Sequence, residues 1–240
     1  MMFDKIYLWL EDREEKSGFV FWKTMMQQLF PEVVVQSKKN NSELIKAVKA
    51  LDDESGMYII VLDNSFDNLQ LVSERKQLQH YVMSKKNIYL VDFICFEYLL
   101  LEFEYLLDWI YAPEDEFRTK RQAAINARNK LVEMLCENDW NYKTAREIIS
   151  YDMNLKDHNI EQFSAKLLFD LTRNTGFEVS KGSIGDCWIK SCCEWQNRHS
   201  DDICGLDYSR LSVKDKMKKI FNHTSIHKEL YYVFPEVFVC

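Results

Sequence analysis

Glu11 and Asp12 follow one short apolar run, Asp63 and Asp67 follow another, and Asp92 and Glu97 follow a third. Carboxylates brought together repel one another, and a divalent cation relieves the repulsion; an all-oxygen ligand set suits Mg²⁺ or Mn²⁺. A carboxylate beside such a cation can carry protons for a reacting water or hydroxyl, while the cation polarises a phosphoryl oxygen. The ordinary alternative is structural. Acids after strands also cap helices and shape turns, and Asp63 followed by Asn64 and Ser65 suits a turn. Which of the two applies depends on the elements that carry these residues.

The first 112 residues repeat one pattern four times, a continuously apolar run and then an amphipathic stretch. The runs are Ile6 to Leu10, Val33 to Val35, Tyr58 to Leu62 and Ile88 to Val91. Continuous rather than alternating apolarity predicts strands covered on both faces, as in a parallel sheet flanked by helices. The intervening spacing predicts the helices. One is capped by Ser17 and carries Phe19, Trp22, Met25, Met26 and Leu29, with Pro31 beyond its end; one is capped by Ser42 and carries Leu44, Ile45, Val48 and Leu51. A third spans about Leu69 to Met83, and a fourth runs from about Phe93 to Ile110. Strict β and α alternation makes a right-handed doubly wound sheet the economical topology, and its strand ends converge on one crevice. Glu11, Asp63, Asp67 and Glu97 are thereby expected to be neighbours.

Pro113 and the acidic run Glu114-Asp115-Glu116 mark the expected boundary between an α/β domain over residues 1–112 and a mainly helical domain over 113–240. Helices are predicted there near Phe117 to Cys136, Tyr142 to Ser150, Ile160 to Arg173, Ile184 to Trp195 and Val213 to Phe221. With 240 residues, 47% of them hydrophobic, the chain can build a core without crosslinks. Only six Gly and three Pro argue against turn-rich propellers and sandwiches. A net charge of −7 argues against a broad basic grip on nucleic acid, so a nucleic-acid substrate would need further help to be held. No apolar stretch approaches the ~20 residues of a membrane helix, and none near the start matches a signal peptide, which predicts a cytoplasmic protein without a membrane partner. Seven Cys, an odd number, then read as reduced thiols or metal ligands rather than a disulfide framework.

Cys187, Cys192, Cys193 and Cys204 cluster around His199, without the paired knuckles of common zinc modules; buried or free thiols are expected, with structural zinc the alternative. Cys95 is expected in the core. Lys214, Lys216, Lys218 and Lys219 predict a solvated helix face, with phosphate steering the competing role, and Arg118, Lys120, Arg121 and Arg128 invite the same two readings. The apolar tail Tyr231 to Val239 is expected to pack as a strand or docking segment on the chain's own core.

Two segments carry a resemblance. Ile6-Tyr-Leu-Trp-Leu-Glu11 and, after intervening helices, Tyr58-Ile-Ile-Val-Leu-Asp63-Asn-Ser-Phe-Asp67 resemble the TOPRIM pattern of a Glu after the first strand and an Asp-x-Asp after the third. Cys95-Phe96-Glu97-Tyr98-Leu-Leu-Leu101 is similar to a helix of RloB-like TOPRIM proteins, relatives of the OLD-family and PARIS AriB-like defence effectors. The resemblance covers residues 1–112. It implies a TOPRIM-like fold and a metal-dependent nuclease cleaving RNA or DNA, the effector of a prokaryotic anti-phage defence system working with an ATPase partner. It further implies Glu11 as general acid/base, Asp63 and Asp67 with Glu11 as ligands of Mg²⁺ (or Mn²⁺), and Glu97 as an auxiliary acid. Asp12 stands where the family commonly has Gly, and Ser65 stands at the middle of the acidic run. Those departures suit a second reading, a TOPRIM scaffold that binds protein or nucleic acid without cutting. A third reading is a phosphorylation receiver, whose fold also places acids after strands one and three.

Overall fold

The computed structural model describes residues 3–113, 115–137, 146, 158–194, 204–206 and 209–238. Four strands, β1 (Lys5–Leu10), β2 (Val33–Ser37), β3 (Gly56–Val61) and β4 (Ile88–Val91), form one parallel sheet in the order β2-β1-β3-β4. Between them run α1 (Ser17–Leu29), α2 (Asn41–Lys49) and α3 (Leu69–Val82). The chain moves outward from β1 to β2 and outward the other way from β3 to β4. The connections therefore diverge between β1 and β3, and the carboxyl ends of these two central strands open a crevice.

Burial follows the pleat. Leu8, Leu10, Ile59 and Val61 face one side, while Trp9, Tyr58, Ile60 and Leu62 face the other. The second face is covered by α2 and α3 through Leu44, Val48, Leu71, Leu78 and Val82. The first face is covered by α1 and by the C-terminal part of the chain, so one cluster of buried apolar side chains runs from Leu8 through Phe21, Ile125, Leu167 and Phe221 to Phe238. The sequence pattern locates the sheet but not this packing.

Several helices begin or end away from their expected positions. Asn40 rather than Ser42 caps α2, its side chain accepting from the Glu43 N–H at 2.9 Å. At α1 the extended residue is Lys16, and Ser17 is already helical with no side-chain cap. The long fourth helix is two, α4 (Phe96–Glu102) and α5 (Leu106–Ile110), because the chain bends at Phe103, whose ring is wholly buried against Trp109. The stretch expected as Phe117 to Cys136 is likewise α6 (Glu116–Lys120) and α7 (Gln122–Cys136), broken at Arg121.

Further on lie α8 (Ile160–Thr172), the two-residue strands β5 (Val179–Ser180) and β6 (Ser183–Ile184) of a hairpin, the short α9 (Asp186–Ile189), α10 (Val213–Asn222) and α11 (Ser225–Val233). The region expected as a helix over Ile184 to Trp195 is thus mostly hairpin and loop up to Glu194. The helix expected at Tyr142 to Ser150 lies outside the described residues apart from Arg146, which is helical. The tail expected as a strand or docking segment is no strand but helical to Val233, with Tyr231 and Tyr232 exposed, and it docks on the core through Phe238, buried on Phe30. Glu102, the last residue of α4, accepts from the Ser225 N–H at 2.7 Å and so ties α11 to the α/β part. Among the described residues no helix is long and apolar enough to cross a membrane.

Candidate active site

Register brings the first two acids together. Leu10 of β1 is paired with Val61 of β3, so Glu11 leaves one strand beside the point where Asp63 leaves the next. Both line a cavity of about 20 Å³ walled by Trp22, Phe93, Phe96 and Leu99. That is room for about one water or one ion. Glu97 comes from the first turn of α4, where the Cys95 sulfur caps the helix by accepting from the Tyr98 N–H at 3.4 Å. Cys95 is wholly buried as expected, and its role is to orient the turn that carries Glu97.

The electrostatics show how crowded the acids are. Burial pushes the Glu11 carboxyl up to about 8, with the charges of Asp12 and Glu161 adding to the rise and a hydrogen-bonding interaction with Asp63 opposing it. Asp63 is raised well above the usual carboxylate range by burial first and then by the charges of Glu11, Glu97 and Glu161. Burial lifts Glu97 to about 7, with Glu161 and Asp12 contributing. Glu11 Oε2 is buried without a hydrogen-bond partner. A buried carboxylate oxygen with no donor is costly unless something positive or protonated meets it.

Asp67 is placed differently. Its Oδ2 accepts from the Ile160 N–H at 2.9 Å, at the start of α8, while Oδ1 is buried without a partner. Burial raises its pKa, while contact with the helix N–H and the charge of Arg146 lower it, and it is not among the residues lining the cavity of Glu11 and Asp63. The structure therefore joins Glu11, Asp63 and Glu97, and sets Asp67 at their margin as an anchor for α8. Asp92 is paired instead, with Arg75 at 3.1 Å and with the Asn64 amide at 2.7 Å. Ser65 is fully buried and its hydroxyl has no partner. Asp12 turns toward α1: a Cβ at Gly18 would lie 2.2 Å from its Oδ2.

Glu161 is a site acid that the sequence reading missed. It reaches the carboxyl cluster because α8 docks over the crevice, and the available signal was the capping box of Asn159 with Gln162, which fixes Glu161 in the first turn. The basic residues considered for steering phosphate divide sharply. Arg121 is buried and donates to the Leu171 carbonyl at 2.5 Å and to that of Arg173; Arg128 donates to the Leu101 and Phe103 carbonyls at 2.7 and 2.8 Å. These guanidinium groups clamp the C-terminal carbonyls of α8 and α4, a position favoured by the helix dipole. Lys216, far from lying on a solvated face, is completely buried and donates to the Cys187 and Lys190 carbonyls at 2.8 Å each. Lys214 and Lys218 are exposed, and Lys219 lies over the Tyr105 ring.

Cys187, Cys192 and Cys204 are half-buried and Cys193 is exposed, and His199 lies outside the described residues. Among the described residues no three or more His, Cys, Asp or Glu side chains are placed so as to hold a metal ion. The donor chemistry nevertheless suits a hard divalent cation at the crevice, since Glu11 and Asp63 share a small cavity and Glu11 Oε2 has no hydrogen-bond partner. Compared with protein-family models, with curated proteins and with solved structures, the chain matches none.

Proposed function

We propose that the chain is a metal-dependent phosphodiesterase of TOPRIM-like organisation that cleaves RNA or DNA, acting in a prokaryotic anti-phage defence module beside an ATPase. The observation that carries this reading is the convergence of Glu11, Asp63 and Glu97 at the divergence point of a parallel sheet, with their carboxyls held far from their ordinary ionisation. Asp63 with Glu11, which share the small cavity, would hold Mg²⁺ or Mn²⁺, which when bound would supply polarisation of a phosphoryl oxygen. Glu11 would take the proton of the attacking water at its carboxyl, which a bound cation would keep in its ionised form. Asp67 positions α8, and through it Glu161, over the crevice.

The test is incubation of the purified protein with labelled RNA and DNA in Mg²⁺ or Mn²⁺, alone and with its ATPase neighbour. Cleavage by the wild type and none by Glu11→Gln is the expected outcome; equal inertness of the two under every condition would reject the reading.

A second reading, a TOPRIM-like scaffold that binds without cutting, is supported by the use of Asp67 as a helix anchor and by the Asp12 carboxyl packed on Gly18. Calorimetry separates the two: the scaffold predicts no Mg²⁺ or Mn²⁺ binding, or binding that Asp63→Asn leaves unchanged.

A further inference from the structure

Next to the carboxyl cluster lies a groove of about 240 Å³, of whose lining the chemistry above uses Glu97 alone. One wall is α8, with Ala165, Lys166 and Phe169; the other is the β5–β6 hairpin, with Val179 and Lys181. Phe169 is half-buried and offers a flat apolar surface, whereas Lys181 is exposed at the hairpin tip. Lys166 pairs with Asp170 one turn along the helix, which offsets its charge. Lys181 acts in both directions: it lines the groove, and its charge also reaches Asp12 in the acid cluster. The groove is therefore continuous with the site and carries positive charge where the rest of the crevice is acidic.

Its size selects among nucleic acids. Pockets for drug-sized molecules run to about 300–1,000 Å³, so this one holds roughly one base with its sugar. A duplex keeps its bases stacked inside, and enzymes reach them there only by extruding a nucleotide. Unpaired bases lie open and stack readily on aromatic rings. We propose that the groove seats a single unpaired nucleotide flanking the phosphate to be cleaved, its base on Phe169 and its own phosphate against Lys181, so that the substrate is single-stranded. This rests on the nucleic-acid reading above and names its substrate class.

Binding is measured without cutting, by fluorescence anisotropy of labelled single-stranded RNA, single-stranded DNA and blunt duplexes in EDTA. The wild type is expected to bind one or both single strands at least about tenfold more tightly than a duplex. Phe169→Ala weakens that binding about 5- to 100-fold. Lys181→Ala lowers the slope of log affinity against log salt by about one. Lys181→Ala changes an exposed side chain, so its fold serves as the control for the more buried Phe169. Duplex bound as tightly as single strand, or binding unchanged by both variants, would overturn the groove assignment even if Mg²⁺-dependent cleavage is observed. No binding to any strand together with no cleavage would reject the nucleic-acid reading itself, and the groove assignment with it.

Discussion

Glu11 and Asp63 meet across the two central strands, sharing a 20 Å³ cavity because Leu10 and Val61 are register partners. Each is held where its ionised form is disfavoured. Such a pair weakens the fold in order to be useful to a ligand. Glu11→Gln is therefore expected to abolish any cleavage and, in metal-free buffer at pH 8, to raise the Tm by several degrees. A Tm that falls would show that Glu11 stabilises the metal-free fold.

The pH dependence has the same origin. In the folded chain Glu11 keeps its proton up to about pH 8, while in the unfolded chain it loses it near 4.5. Its contribution is therefore fully present below about pH 4.5 and is lost as pH rises toward 8, where the folded group ionises and the loss stops. Glu97 adds a parallel loss between 4.5 and about 7. Together these amount to on the order of several kcal/mol at most, since each tenfold difference in proton affinity between the folded and unfolded chain is worth about 1.4 kcal/mol. Urea titrations at pH 5 and pH 8 in EDTA should show the decline, and Glu11→Gln should flatten it.

A cation bound among these carboxyls would favour their ionised forms. Added Mg²⁺ or Mn²⁺ is expected to raise the Tm more at pH 8 than at pH 5, where protons compete for the same oxygens. Equal gains at both pH values, or none, would count against a carboxyl-held ion.

Asp12 and Gly18 form an interlocked pair. Gly18→Ala puts a methyl 2.2 Å from the Asp12 carboxyl and forces that side chain to move, at a cost of roughly 1–3 kcal/mol. Asp12→Gly removes the obstruction, so the double variant should recover most of the lost stability in thermal melts. Simple additivity of the two single changes would show that they do not interact.

The buried cations separate by substitution. Arg121→Met removes the guanidinium donor from the Arg173 carbonyl and leaves the Leu171 carbonyl only the Tyr111 hydroxyl, and is expected to destabilise by about 1–3 kcal/mol. Lys216→Met should cost a comparable amount for the same reason. Lys218→Ala, on the exposed side of the same helix, is expected to stay within about 0.5 kcal/mol. Chemical denaturation of the three variants checks this ordering.

The strands were legible because burial on both faces leaves a signature in each run: Ile88 to Val91 falls on β4 residue for residue, and the other three runs fall within a few residues of their strands. Position after a strand likewise pointed to Glu11 and Asp63, since the carboxyl edge of a parallel sheet is a property of topology. The cap of α2 was misplaced by two residues, Ser42 for Asn40, because both are good capping types and only the backbone's extended residue decides between them.

What the amino-acid order determined by itself is therefore local: which runs become strands, which stretches wind into helices, and which acids leave strand ends. Only the tertiary structure decided that Asp67 holds α8, that Glu161 joins the cluster, and that Arg121, Arg128 and Lys216 are clamps rather than surface charge. The physical reason is distance along the chain. A carboxyl's pKa and a guanidinium's partner are set by groups tens of residues away, whose approach depends on which faces pack together. Periodicity within a segment carries no record of that choice.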